Sequence, residues 1–220
     1  FRNDTGSFTE VAALLGLSGV GSYKASVWFD YDGDEDLDLF LSSKNSSNKL
    51  FQQQANGTFS EVASAAGVAS GSNAMEVSVC DYDGDGWPDL IISGRSSAKR
   101  LMRNNGDGTF TNVASTAGVG TSKDSHGSDW ADYDGDGDFD FHVANWYSAN
   151  EHFRNNGDGT FTEFASSLGL ASTSNITEIS HGDYDGDGDQ DLYLMNMGAD
   201  RLHRNDSGMF SGDVRSSLGI

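Results

Sequence analysis

Short apolar runs bounded by glycine and aspartate recur along the whole chain, and their pattern reads as strand rather than helix. Ser26-Val27-Trp28-Phe29 and Val77-Ser78-Val79-Cys80 precede an acidic segment; Leu37-Asp38-Leu39-Phe40-Leu41, Leu90-Ile91-Ile92 and Leu192-Tyr193-Leu194 follow one. Their β-branched and aromatic content suits strands. A third strand is expected at Lys49-Leu50-Phe51 and at Arg100-Leu101-Met102-Arg103. An Asn/Gly/Asp turn at 104–108 then leads into a fourth strand around Thr109-Phe110-Thr111. Residues 113–117 are expected to form one helical turn, capped by Gly118.

These elements repeat with one period. The acidic segments begin at Asp30, Asp81, Asp132 and Asp183, each 51 residues after the last. Phe8, Phe59, Phe110 and Phe161 keep the same spacing, as do Gly16, Gly67, Gly118 and Gly169. Three markers in phase define a repeat, and four short antiparallel strands per repeat of this length describe a propeller blade. The expected fold is all-β, a β-propeller-like array of four full blades plus a leading half-blade in one repeat domain, 1–220. Its divisions are a half-blade at 1–17 and blades at 18–68, 69–119, 120–170 and 171–220.

Each acidic segment has the form Asp-x-Asp-Gly-Asp-x-x-x-Asp. Carboxylates at positions 1, 3, 5 and 9 of a tight turn can converge on one point, and position 7 would add its backbone carbonyl. The four sets are Asp30, Asp32, Asp34, Asp38; Asp81, Asp83, Asp85, Asp89; Asp132, Asp134, Asp136, Asp140; and Asp183, Asp185, Asp187, Asp191. Position 7 is Asp36, Trp87, Asp138 or Asp189, and a tryptophan there fits a backbone ligand. Hard oxygen donors in this number suit Ca²⁺ better than Mg²⁺ and imply about four ions. An EF-hand would need Glu at position 12, where Leu41, Ile92, Val143 and Leu194 stand instead. A calcium loop joining two strands is therefore expected.

Composition sharpens this picture. The formal charge of −21 comes from 34 acidic and 13 basic residues. Setting aside the 16 proposed carboxylate ligands leaves 18 acidic against 13 basic, or −5, so most of the acidity is site chemistry. The balance argues against nucleic acid and against an anionic membrane surface. No segment is long and apolar enough to span a bilayer. Cys80 is the single cysteine, so no internal disulfide framework is expected. The chain begins at Phe1 rather than Met, as a mature form or a piece of a longer chain would.

The four loops, together with Arg-Asn-Asn-Gly-Asp-Gly-Thr-Phe-Thr at 103–111 and 154–162, resemble the FG-GAP and VCBS-type repeats of the N-terminal β-propeller of integrin α subunits. The resemblance spans essentially the whole chain. It implies Ca²⁺ in the acidic loop between the first two strands of each blade, an extracellular or cell-surface location, and adhesion or ligand recognition. Propellers of this family usually have seven blades. Three outcomes stay open: closure as a small propeller, a place in a larger one, or pairing of the spare strands with a neighbour. Arg2-Asn3-Asp4-Thr5-Gly6-Ser7-Phe8 and Arg204-Asn205-Asp206-Ser207-Gly208-Met209-Phe210 share a shortened turn, as head-to-tail assembly into a homo-oligomer or filament would use.

Asn3, Asn45, Asn56, Asn175 and Asn205 stand in N-glycosylation sequons, all expected in turns or loops. The five histidines (126, 142, 152, 181 and 203) read as strand or turn residues without a shared repeat position. Trp146 and Tyr147 fall in a connection that varies between repeats, where they either pack between blades or meet a sugar or protein partner. No nucleophile elbow or phosphate-cradling loop is present. The leading expectation is a non-enzymatic, calcium-stabilised extracellular scaffold that recognises a protein or glycan. A lectin-like propeller and part of a polysaccharide-degrading enzyme are the alternatives.

Overall fold

Tight Asn/Asp/Gly turns force each strand to pair with its neighbour in sequence, and the chain folds as a succession of antiparallel sheets. The computed structural model describes residues 1–18, 21–70 and 73–219. β1 (Arg2–Asp4) and β2 (Ser7–Thr9) form a leading hairpin. The first four-stranded sheet holds β3 (Tyr23–Phe29), β4 (Asp38–Ser43), β5 (Lys49–Gln53) and β6 (Phe59–Glu61) in sequence order. In the next, β7 (Ala74–Cys80) and β8 (Asp89–Gly94) are followed by a two-residue strand, β9 (Ser97–Ala98), then by β10 (Arg100–Asn104) and β11 (Phe110–Asn112). β12 (Ser122–Ala131), β13 (Asp140–Trp146), β14 (Glu151–Asn155) and β15 (Phe161–Glu163) make the third sheet. β16 (Ile176–Gly182), β17 (Asp191–Asn196), β18 (Arg201–Asp206) and β19 (Met209–Asp213) make the fourth, and a short helix, α1 (Arg215–Leu218), follows.

The sheets stack face to face with β3, β7, β12 and β16 side by side, as the inner strands of a propeller are. Strand periodicity distributes the core between them. In β8, Leu90 and Ile92 join the core shared with the first sheet, while Ile91 joins Leu101, Phe141, Val143 and Phe153 on the other side. Both faces of the strand are covered, so all six of its residues are buried. The third core gathers Ala144, Leu170, Ile176, Leu192 and Leu194. The row is open, because no comparable packing joins β3 to β16 among the described residues.

The expected helical turn is present: the Ala117 amide donates to Val113 O at 2.8 Å, and Gly118 takes φ 82°. Its Ala117 carbonyl then accepts the Phe161 amide of the next sheet at 2.9 Å. The turn thereby ties two blades together.

One junction departs from the four-strand scheme. β9 leaves its own sheet and pairs with β12, giving the third sheet a fifth strand. The adjoining Lys99 is fully buried, and its Nζ donates to Glu151 Oε2 at 2.5 Å and to Thr121 Oγ1 at 2.6 Å. Burial pushes the Glu151 carboxyl up, but Lys99, with help from Thr121 and Lys123, holds the group below its usual value. Lys123 and Asn145 also reach Glu151. Removing the carboxylate strands a buried ammonium, whereas removing the lysine leaves Glu151 with two partners. Glu151→Gln should therefore cost about 3 kcal/mol and Lys99→Met about half of that, read from urea unfolding midpoints.

Candidate metal centres

Each acidic loop winds around its own first carboxylate. Asp30 Oδ1 accepts the amides of Gly33 and Asp34, and its Oδ2 accepts that of Glu35, at 2.8–3.2 Å. Asp81, Asp132 and Asp183 are wrapped in the same way. Such a turn needs left-handed backbone at positions 4 and 6. Glycine supplies it everywhere except at Glu35, which is held at φ 69°. Position 5 accepts the amide of position 7, as Asp85 does from Trp87 at 2.9 Å.

The ninth-position carboxylate is buried in every loop: Asp38, Asp89, Asp140 and Asp191 are at most 1% exposed. One oxygen accepts the amide of the loop's tyrosine and the other accepts an amide from the third strand of the same blade. In the second blade these are Tyr82 at 3.2 Å and Asn104 at 2.7 Å. Burial raises Asp38 to about 6, and Asp89 and Asp140 to about 7.

The carboxylates converge. Asp30, Asp32 and Asp38 place oxygens within 4.8 Å of one another, as do Asp183, Asp185 and Asp191. In the other two loops the converging sets are Asp81, Asp83 and Asp85, and Asp132, Asp134 and Asp136. Positions 1 and 3 thus meet in all four loops, joined by position 9 in two and position 5 in two. Oδ1 of both Asp32 and Asp134 is buried without a hydrogen-bond partner among the described residues. An orphaned, desolvated carboxylate oxygen aimed into a cluster of like charge fits a hard cation. At position 7 none of the side chains joins a cluster among the described residues. Asp189 instead accepts the Ser207 amide, and Trp87 lies against Gly33 and Gly106.

A second constellation links the blades. Asn104, Asn155 and Asn205 each donate Nδ2 to a tyrosine carbonyl of the preceding blade's loop, Tyr31, Tyr82 and Tyr133, at 2.6–2.8 Å. The rings of those tyrosines lie against Phe110, Phe161 and Phe210, with centroids 6.2, 5.6 and 5.8 Å apart. This arrangement corrects one expectation. Asn205 is fully buried with its amide engaged at both Tyr133 O and Gln190 O, so it cannot carry a glycan in the folded chain. Asn3, Asn45 and Asn56 are exposed and Asn175 is half-buried.

The sequence profile of the FG-GAP-like repeat matches three overlapping stretches, 30–92, 81–143 and 132–194, each running from one acidic loop through the next. The chain belongs to the FG-GAP-like repeat family. Cartilage acidic protein 1 of Mus musculus is 30% identical over 169 residues, covering 71% of this chain and 26% of that protein. Its Xenopus tropicalis counterpart is 29% identical over 110 residues, covering 48% of this chain and 17% of that protein. The chain thus spans about a quarter or less of the length of these relatives. Among solved structures, BBS1N, crystallised in complex with ARL6DN, aligns with TM-score 0.57 at 12% identity over 89% of this chain and 57% of its own. That likeness shows the fold alone.

Within this FG-GAP-like array the histidines are less scattered than their numbers suggest. His152 and His203 do share a repeat position, since 203 − 152 = 51, where Leu50 and Leu101 stand in earlier blades. His142 and His152 face each other with Nδ1 atoms 3.3 Å apart, and the His181 ring lies 6.3 Å from that of His142. Burial holds His142 well below the usual imidazole value and His152 at about 3. Asp129 and Tyr133 complete the surroundings. The arrangement joins β13, β14 and β16, and the 51-residue register, which relates His152 only to His203, gives no sign of it in the sequence.

Glu35→Gly relieves left-handed strain while keeping the amide that Asp30 accepts, and should stabilise the fold by about 0.5–1 kcal/mol in thermal unfolding. His152 is neutral when folded and takes up a proton when unfolded, so its contribution is complete above about pH 6.5 and is lost as pH falls toward 3. His152→Leu should remove about 2 kcal/mol of the destabilisation between pH 7.5 and pH 5, measured as the difference in urea unfolding between variant and parent.

Proposed function

We propose that this chain is a calcium-stabilised, non-enzymatic recognition scaffold of the extracellular space. The observation that carries the reading is the meeting of the first- and third-position carboxylates with a third aspartate in all four acidic loops. A catalytic pair would be built once, whereas a clamp that holds a loop shut is needed wherever the loop occurs. The converging aspartates at positions 1, 3, 5 and 9 would hold the ion, and the ion would supply the positive charge that close-packed carboxylates lack. FG-GAP-like membership and the likeness to cartilage acidic protein 1 support an adhesive or matrix setting. Among the described residues no helix is long and apolar enough to cross a membrane.

Recognition would fall to the connections that differ between blades. Tyr147 is 74% exposed and held at φ 58°, a conformation rare for a bulky residue. Its neighbour Trp146 is already engaged, stacked on His126 at 4.2 Å with Arg95 5.7 Å from its ring centre. With that backing, Tyr147 would serve as a presented aromatic for an extracellular protein or a glycan. A glycan is the second reading, because a flat, exposed phenol ring suits a sugar face.

Excess EGTA should lower the melting temperature by roughly 10 °C or more, with recovery in calcium but not in an equal concentration of magnesium. Asp83→Asn should reduce the calcium stoichiometry from about four to about three in isothermal titration. Melting unchanged by EGTA would sink the calcium reading. Tyr147→Ala should leave melting intact while weakening any glycan or protein captured by the parent chain.

A further inference from the structure

One connection in the array brings an exposed aromatic ring and a sequon together. Asn45, Ser96, Tyr147 and Gly198 stand 51 residues apart, at the turn after the second strand of each blade. Ser96 and Tyr147 both take left-handed backbone there, at φ 51° and 58°. That conformation is costliest for a bulky side chain, yet Tyr147 keeps it with its ring largely in solvent. Burial against the chain itself does not offset the strain. The Trp146 ring meets that of Tyr147 edge-on, with centroids 5.8 Å apart and planes at 81°, so at least one face of the phenol stays open.

The residue across the connection is Asn175. It lies in register with Asn73 and Asp124, and it alone of the three begins a sequon, Asn175-Ile176-Thr177. Asn175 Oδ1 accepts the Tyr147 amide at 3.4 Å, and its backbone carbonyl accepts the Met197 amide at 3.1 Å. Asn175 Nδ2, the atom that carries an N-linked glycan, makes no hydrogen bond among the described residues and is not enclosed. Asn205 is the contrast, with its Nδ2 committed to Tyr133 O and Gln190 O. A free side-chain amide and an open phenol face thus sit on two residues already joined by a hydrogen bond.

We infer that Asn175 carries an N-linked glycan whose first N-acetylglucosamine lies on the Tyr147 ring. The inference rests on the extracellular setting proposed above, and it names the sugar at Tyr147 as the chain's own. The donor is an oligosaccharide linked to a lipid through a diphosphate. Asn175 Nδ2 attacks C1 of the first sugar; the C1–N bond forms, the C1–O bond to the diphosphate breaks, and the amide gives up one proton as the lipid diphosphate leaves. In the folded chain Thr177 Oγ1 donates to Met195 O at 3.2 Å, so the transfer belongs to the nascent segment, before β16 and β17 pair. Folding then sets the C–H face of the sugar on the phenol while its hydroxyls stay in water. The sugar pins the Tyr147 turn to the connection that leads into β16. An outside protein or glycan meets an open Tyr147 only on a chain that lacks the modification.

The test is a double-mutant cycle read by melting temperature in saturating calcium. The whole chain is secreted from mammalian cells behind a leader peptide as parent, Tyr147→Ala, Thr177→Ala and the double variant. Occupancy at Asn45, Asn56 and Asn175 is read by peptide mass. Thr177→Ala removes the glycan and keeps the Asn175 side chain. It should lower melting by about 2–4 °C more in the parent than in the Tyr147→Ala background. The same four chains made in bacteria, without the glycan, should show no such difference, and there Tyr147→Ala alone leaves melting unchanged. Equal effects in the two backgrounds, or a difference that persists in the bacterial chains, overturns the inference. Asn45 or Asn56 occupied with Asn175 empty overturns it too and leaves the extracellular reading standing. A secreted chain with all three empty counts against both.

Discussion

The buried carboxylate that ends each acidic loop is the constraint around which every blade is built. Asp89 sits with no exposed surface and takes one amide from the start of its loop and one from the third strand. Two backbone donors lower the cost of that burial but do not cancel it, since Asp89 is still pushed up to about 7. The loop cannot relax outward without abandoning both amides. It therefore holds the other aspartates close together against their mutual repulsion, a strain that a divalent cation would relieve.

The asparagine beside that carboxylate carries the constraint outward. The Asn104 amide binds Asp89, its side-chain carbonyl orders the turn at Gly106, and its side-chain NH₂ reaches Tyr31 in the neighbouring blade. One residue thus joins a loop, a hairpin and a blade junction. In the first blade the position in register is Gln53, whose amide still binds Asp38. The loop contact is kept where the asparagine side chain is not, which shows that loop and junction are separable layers of the same design.

How much of this was legible in the sequence follows from what repeats. The strand runs, the acidic loops and the capped turn at Gly118 recur in register, so periodicity alone located them. Which carboxylates converge was not legible: Asp38 joins its cluster and Asp89 does not, a difference of side-chain placement within one motif. Asn205 read as a sequon because Asn-Asp-Ser has the same letters whether the amide is exposed or buried under Tyr133. The His142–His152–His181 group was hidden because it assembles across two sheets, and the pairing of β9 with β12 because two residues carry no periodic signal.

The departures from the repeat gather around the third blade, and that clustering has a physical logic. Lys99, Glu151, Lys123 and Asn145 occupy one end of it, and His142, His152 and His181 lie in its interior. Buried polar groups of this kind cost stability where a leucine would serve, as Leu50 and Leu101 do at the His152 position. Their partners come from adjacent blades: Lys99 from the second, His181 from the fourth. Apolar faces pack with any similar neighbour, whereas Lys99 is satisfied only opposite Glu151. These groups therefore add a blade-specific pairing to apolar contacts that carry no such preference.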